Sequence, residues 1–315
     1  MALGTRGVRT RLAVGVVALV TVVAAMAATG PAAQAGSKRI VAVGAENEYA
    51  NVIAQIGGGY ISVSAIESNP NTDPHTFEAS PAVAEVVSKA SLIVQNGVGY
   101  DSYMNKIEAA SPSSSRKVIV VQSLLGLPDS TRNPHLWYKP VTMPAVAKAV
   151  ARDLADLDPA HSTYFHARAI SFDKSLEPWY KDIAEVKKEF PHAAVAVTEP
   201  VGDYMLNAVD ADILTPWSLQ ADIMNGVDPS PQDVSTEQNL FSQHRVKVFL
   251  YNQQVTDTLT ASFLSLAKSD HIPVVGVYET MPTPGYDYQS WMAAEVNALK
   301  AALQHQKSTV SLLSK

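Results

Sequence analysis

Residues 60–95 read YISVSAIESNPNTDPHTFEASPAVAEVVSKASLIVQ, and this stretch decides the fold. It opens on an apolar, β-branched run from Tyr60 to Ile66 and crosses a loop rich in Asn, Asp and Pro. Ser80-Pro81 then supplies an N-cap serine followed by proline at the first helical position. Val83, Val86, Val87 and Ala90 fall on one stripe of the helix that follows, and Leu92 to Gln95 is again a short apolar run. Strand, loop, helix and strand make a βαβ unit. Its strands are almost continuously hydrophobic, as expected for parallel strands covered on both faces.

The same alternation extends in both directions. Further strands are expected at Arg39 to Val43, Val118 to Val121, Ala193 to Val197, Val246 to Tyr251 and Pro273 to Tyr278. Helical stripes lie between and after them: Val146, Val150, Leu154 and Leu157; Leu259, Phe263 and Leu266; Met292, Val296, Leu299 and Leu303. From Pro159 to Phe190 there is no strand signal, and the pattern is polar and helical. Pro178 interrupts it, so one helix should end near Leu176 and a second begin at about Pro178. The expected fold class is α/β: two lobes with largely parallel sheets, residues 36–158 and 191–315, joined by a helical linker over 159–190. Gly57-Gly58-Gly59 follows a helix and precedes a strand, the order of a helix C-cap and turn and not of a dinucleotide-binding loop.

Composition narrows the function. The chain has 315 residues, 47% of them hydrophobic and 17% charged, an ordinary globular balance. Its formal charge is −6, from 24 basic and 30 acidic residues, and three of the basic ones lie in residues 1–35. An acidic body of this kind argues against nucleic-acid binding, which needs a basic face to displace counterions. With no cysteine, disulfides, thiolate metal sites, thiol nucleophiles and a lipid-modified N-terminal Cys are excluded. Residues 1–35 have the form of a signal peptide: Arg6, Arg9 and Arg11, an apolar run from Leu12 to Ala28, then Ala33-Gln34-Ala35 as a small-x-small processing site. An uncleaved anchor is the alternative, since the run is near the lower limit for spanning a bilayer. The expected location is periplasmic or extracellular.

Phosphate loops, nucleophile elbows and His-Glu-x-x-His helices are absent from the sequence. Two histidines stand out by context. Asp73-Pro74-His75 follows the Tyr60 to Ile66 run and Asn133-Pro134-His135 follows the Val118 to Val121 run, so proline delivers each imidazole near the carboxyl end of a strand, where α/β sheets hold ligands. In the second half, two strands run into carboxylates, Thr198-Glu199-Pro200 and Glu279-Thr280-Met281-Pro282. A glutamate directly after a buried strand is costly unless solvated or paired. Two imidazoles from one lobe and two carboxylates from the other could neutralise and coordinate one divalent cation in the cleft. Tyr100, Trp137, Tyr138 and Tyr204 are candidate cleft walls, and Asn252 and Gln253 could face it from a strand end. His161, His166, His192, His244, His271 and His305 lack a paired context and are assigned to the surface or to caps.

Several of these motifs together resemble the substrate-binding proteins of ABC-type zinc, manganese and iron importers, in which two lobes are joined by a rigid helix. The resemblance covers residues 38–306 and rests on Asp73-Pro74-His75-Thr76-Phe77-Glu78 with Ser80-Pro81, Asn96-Gly97-Val98-Gly99-Tyr100, Asn133-Pro134-His135-Leu136-Trp137, and Gly285-Tyr286-Asp287-Tyr288 leading into Trp291-Met292. It implies a metal site between the lobes, with His75, His135, Glu199 and Glu279 on the four ligand positions. It implies no catalysis, a monomer, and an ABC permease as partner. The cargo would be Zn²⁺ or Mn²⁺, with Fe²⁺ third. The chain departs from the family in having Glu at the third position, where zinc carriers commonly have His, and Glu in place of the frequent Asp at the fourth. It also lacks the His-rich acidic loop between Leu127 and Asn133 and the lipid-anchoring Cys. The competing expectations are a metal-dependent hydrolase using the same four residues, a receptor for a metal chelate such as a siderophore or cobalamin, and surface adhesion.

Overall fold

The structure, a computed structural model, describes residues 39–313; the expected signal peptide over 1–35 lies outside them. The first half runs β1 (Ile40–Glu46), α1 (Asn47–Gly57), β2 (Ile61–Glu67), α2 (Pro81–Ser88), β3 (Leu92–Gln95), α3 (Ser102–Ala110), β4 (Lys117–Val120), α4 (Val121–Leu124) and α5 (Thr142–Leu157). Two helices, α6 (Ser162–Ser175) and α7 (Glu177–Glu189), form the connection. The second half runs β5 (Ala194–Val197), α8 (Asp203–Ala208), β6 (Asp212–Ile213), α9 (Trp217–Met224), α10 (Pro231–Ser242), β7 (Val248–Asn252), α11 (Thr258–Ser269), β8 (Val274–Val277) and α12 (Tyr288–His305).

Each lobe holds a four-stranded parallel sheet, in the orders β2-β1-β3-β4 and β6-β5-β7-β8. The two orders are the same, first-two strands swapped, so each sheet has a topological switch point between its two central strands. Successive residues of β3 alternate between faces: Leu92 and Val94 join the large core shared with α1, α5 and α6, while Ile93 packs with Val87, Met104 and Ile107. In the second lobe Phe249 packs with Phe241 and Phe263 on one face, and Leu250 faces the large core. That core runs unbroken from both sheets through α5, α6, α7 and α12.

All seven expected strands form. The strand missed was β6, two residues at the edge of its sheet, too short for any periodicity to show. Val121 leaves the expected strand to start α4. The linker breaks where Pro178 requires it: Leu176 separates α6 from α7, and the proline occupies the first turn of α7, where its missing N–H costs no intrahelical bond. Gly58 is the C-cap of α1 with φ +54°, its N–H donating to the Ala54 carbonyl. Asp257 and Asp287 cap α11 and α12, each accepting from the backbone N–H three residues on. No helix among the described residues is long and apolar enough to cross a membrane.

Candidate metal centre

Both X-Pro-His motifs work by the same local device. Asp73 Oδ1 accepts from the His75 backbone N–H at 2.8 Å, and Asn133 Oδ1 accepts from the His135 backbone N–H at 2.9 Å. The residue two before each histidine therefore fixes the turn that presents its ring. Asn133 does more, because its Oδ1 also lies 2.9 Å from His135 Nδ1. The orientation of this amide is set by its Nδ2, which donates to the Pro200 carbonyl at 2.7 Å. Nδ1 of His135 is then the protonated nitrogen, and Nε2 carries the lone pair. Asn96, first of the Asn-Gly-Val-Gly-Tyr motif, donates to the Pro134 carbonyl at 2.8 Å and accepts from the Tyr49 hydroxyl at 2.6 Å, so the loop after β3 braces the His135 turn.

Glu199 lies two residues past β5 and Glu279 two residues past β8, at the carboxyl ends of parallel strands. Glu279 Oε2 is 3.1 Å from His75 Nε2, 3.1 Å from His135 Nε2 and 3.0 Å from the Tyr100 hydroxyl. His75 Nε2 is 4.0 Å from Glu199 Oε2. Among the described residues, His75, His135 and Glu279 form the one group of three or more that offers ligand atoms within 4.8 Å of one another. Glu199 stands one step back, with its buried Oε2 free of any hydrogen-bond partner. His135, Glu199 and Glu279 have fully buried side chains, and the His75 side chain alone keeps 23% exposure.

Asn252, the last residue of β7, ties the carboxylates together. Its Nδ2 donates to Glu199 Oε1 and to Glu279 Oε1, both at 2.7 Å. The inner oxygens are thus fixed by one amide, which leaves the Oε2 atoms turned toward the histidines.

The electrostatics divide the protons unevenly. Burial works against charge on His75, but the Glu279 carboxylate beside it outweighs this and pushes its pKa up to about 9. Burial also opposes ionisation of Glu279, yet His75 and His135 hold its carboxyl well below the usual range. Burial, with the Glu279 charge next, pushes Glu199 well up. Burial also lowers His135. Protonated His75 therefore donates its Nε2–H to Glu279 Oε2, and the His135 Nε2 lone pair faces the same oxygen.

Behind the centre the fold gathers a second group of buried acids. Glu46 and Glu67 are neighbours in register on β1 and β2, and Glu48 and Asp101 are buried with them. Burial raises all four, Glu67 to about 8 and Asp101 to about 6. Burial thus disfavours charge on this inner acid cluster.

Two cavities flank His75. One of about 650 Å³ is lined from both lobes, with Tyr100, Lys106, Arg132 and Trp217 on its wall. The other, about 460 Å³, carries Asp73 and Asp257, with His75 and neither Lys nor Arg on its wall. Of the expected wall residues, Tyr100 reaches the centre, Trp137 packs edge-on against His135 at 5.5 Å, and the Tyr204 hydroxyl donates to the Asn133 carbonyl at 3.0 Å. Tyr138 is core instead: it turns to the Tyr278 carbonyl. Gln253 does not join the carboxylates as its neighbour Asn252 does. His166, His192, His244, His271 and His305 are exposed, and His161 pairs with Asp158 at 2.7 Å. His192, His244 and His271 each follow a helix or turn with φ between +51° and +57°.

Comparison with known proteins bears on what this geometry is for. The family model described as "Zinc-uptake complex component A periplasmic" (ZnuA) matches residues 43–302. A putative metal-binding protein of Treponema pallidum is 23% identical over 202 residues, which are 58% of this chain and 62% of that one. The chain thus spans about three fifths of the length of that relative. The manganese ABC transporter substrate-binding lipoprotein PsaA of Streptococcus pneumoniae is 20% identical over 259 residues, 78% of this chain and 81% of its own. In fold the chain is similar to the periplasmic zinc binding protein TroA of Treponema pallidum, with TM-score 0.71, 15% identity, and coverage of 86% of this chain and 100% of that one.

Proposed function

This chain belongs to the ZnuA family of periplasmic zinc-uptake components, and from that membership we propose that it is an extracytoplasmic receptor that captures a divalent transition metal ion and delivers it to an ABC importer. Its ligands are His75, His135, Glu279 and Glu199. One observation carries the reading: two imidazole nitrogens, one of them a fixed lone pair, lie 3.1 Å from the same buried carboxylate oxygen. Such a set of converging donors favours a cation that can replace the His75 proton among the three atoms. The ion enters as cargo, Zn²⁺ or Mn²⁺ with Fe²⁺ third; nitrogen and carboxylate donors in equal number suit all of them. The protein acts without turnover, as a monomer, outside the cytoplasm after loss of residues 1–35. Residues 36–158 and 191–315 act as the two lobes and 159–190 as their link.

The 650 Å³ cavity beside His75, with Lys106, Arg132 and Trp217 on its wall, favours a second reading, in which the ion arrives as an anionic chelate. Calorimetry decides between the readings. Metal-stripped protein titrated with bare Zn²⁺ or Mn²⁺ should bind one equivalent, and the double variant His75→Ala, His135→Ala should lose it while keeping its fold. Binding of an ion–chelator complex with no response to the bare ion would favour the second reading. Failure of both would overturn the metal-receptor assignment, as would metal-dependent hydrolysis of ester, phosphate or peptide substrates.

A further inference from the structure

His75 sits on the loop of residues 68–80 between β2 and α2, the most exposed segment that reaches the metal centre. Hydrogen bonds within the loop are local, running from Thr72 to Asn69 and from Thr76 and Phe77 to Asp73 and Pro74. Apart from the His75 ring itself, one hydrogen bond among the described residues ties this loop to the other lobe. Gln254 Nε2 donates to the Thr72 carbonyl at 2.8 Å. The same side chain is fixed from the opposite end: Gln254 Oε1 accepts from the backbone N–H of Glu279 at 2.7 Å and of Thr280 at 2.8 Å. Its own backbone N–H donates to Asn252 Oδ1 at 2.9 Å, the amide that holds both carboxylates. Gln254 is 6% exposed, so its bonds to Glu279 and Thr280 are sheltered from competing water, while the bond to the exposed Thr72 is half-buried.

We propose that Gln254 is a positioning residue, a latch that holds the His75 loop against the second lobe and couples it to the backbone of Glu279. The geometry supplies a direct route from one ligand to the other: Glu279 N–H, the Gln254 amide, the Thr72 carbonyl, and three residues later His75. A loop with one tether moves as a unit when the tether opens. Its motion carries away the one ligand whose side chain already faces solvent, and it opens onto the 460 Å³ cavity that Gln254 and His75 both line. Departure of His75 is then the first step of ion release, and the latch sets its frequency. In this kinetic consequence the proposal rests on the metal-receptor reading.

Two variants separate the latch from simple support of the fold. Gln254→Glu keeps an acceptor for the Glu279 and Thr280 N–H groups, and for the Thr280 hydroxyl that Nε2 meets at 3.1 Å, but has no donor for the Thr72 carbonyl, so the cross-lobe bond is the one it leaves without a partner. Gln254→Met removes all four side-chain bonds. Hydrogen exchange on the metal-free full chain should show residues 68–80 exchanging about five- to tenfold faster in both variants, the effect of one neutral hydrogen bond, with α5 and α12 unchanged. Zn²⁺ or Mn²⁺ loaded at one equivalent and chased with a chelator should leave Gln254→Glu about five- to tenfold faster than wild type, with stoichiometry kept. Unaltered exchange of residues 68–80 in Gln254→Glu would overturn the latch. Faster exchange with an unaltered release rate would overturn its control of release. A wild-type protein that binds neither ion would sink the receptor reading, and the exchange measurement would still decide the latch.

Discussion

His135 Nε2 lies 3.1 Å from Glu279 Oε2 although 144 positions separate them, and the imidazole is held there by Asn133. The Asn133 amide fixes the tautomer as well as the turn, so Asn133→Ala should weaken metal binding about 10- to 100-fold, the usual loss when a ligand histidine loses its partner. Asn133→Asp, which still accepts from Nδ1–H, should recover most of it. Calorimetric titration with Zn²⁺ measures both, and equal affinities for Asn133→Ala and wild type would contradict this role.

Asn252 bridges Glu199 and Glu279 at 2.7 Å each, and without it two buried carboxyls face each other unassisted. Hydrogen bonds to charged groups contribute about 1.5–3 kcal/mol. Asn252→Ala should therefore lower the melting temperature of the metal-free protein, and a bound ion should restore most of the difference by neutralising the pair. Thermal scans with and without Mn²⁺ test this. An identical loss in both states would mean that the amide serves only packing.

Proton competition follows from the charges at the centre. The Glu279 carboxylate, acting against burial, raises His75 to about 9, so at pH 7 its ring carries a proton that a metal ion must displace. Affinity should thus rise with pH up to about 9 and fall as pH drops. At least one proton, that of His75, should be released per ion. Titrations in buffers of different ionisation enthalpy count these protons; none released at pH 7 would be incompatible with His75 as a ligand.

The strands and the two histidine motifs were legible because each is local: a β-branched run, or a proline two atoms' reach from its ring. Glu199 and Glu279 were legible as carboxylates at strand ends, a position rather than a contact. Asn252 is legible for the same reason, but its bridge is not, since it joins residues from three different strand ends. Glu46-Asn47-Glu48 has the composition of a solvated turn, and only the close packing of β1 beside β2 and α1 buries it. Gln254 carried no signal at all. Its role depends on a carbonyl 182 positions away, and backbone carbonyls have no identity in sequence.

Glu295 offers a test of stability away from the metal. It lies fully buried on α12, where Oε1 accepts from Trp291 Nε1 at 3.0 Å and meets the Tyr138 hydroxyl at 3.2 Å. The Tyr138 hydroxyl is shared between Glu295 Oε1 at 3.2 Å and the Tyr278 carbonyl at 2.8 Å, and these bonds offset only part of the cost of burying the carboxyl. Burial accordingly raises its pKa from 4.5 to about 8. An acid whose folded value is raised contributes stability that is complete below its unfolded value and is lost as pH climbs to the folded one. The loss should run from about pH 4.5 to about pH 8 at up to about 1.4 kcal/mol per pH unit. Glu295→Gln cannot ionise and keeps both a donor and an acceptor, so its stability should decline less than that of wild type between pH 5 and pH 8. Urea denaturation of the two metal-free proteins at both pH values gives the comparison. Since every other buried carboxyl is common to both, parallel declines would show that Glu295 is already ionised in the folded protein.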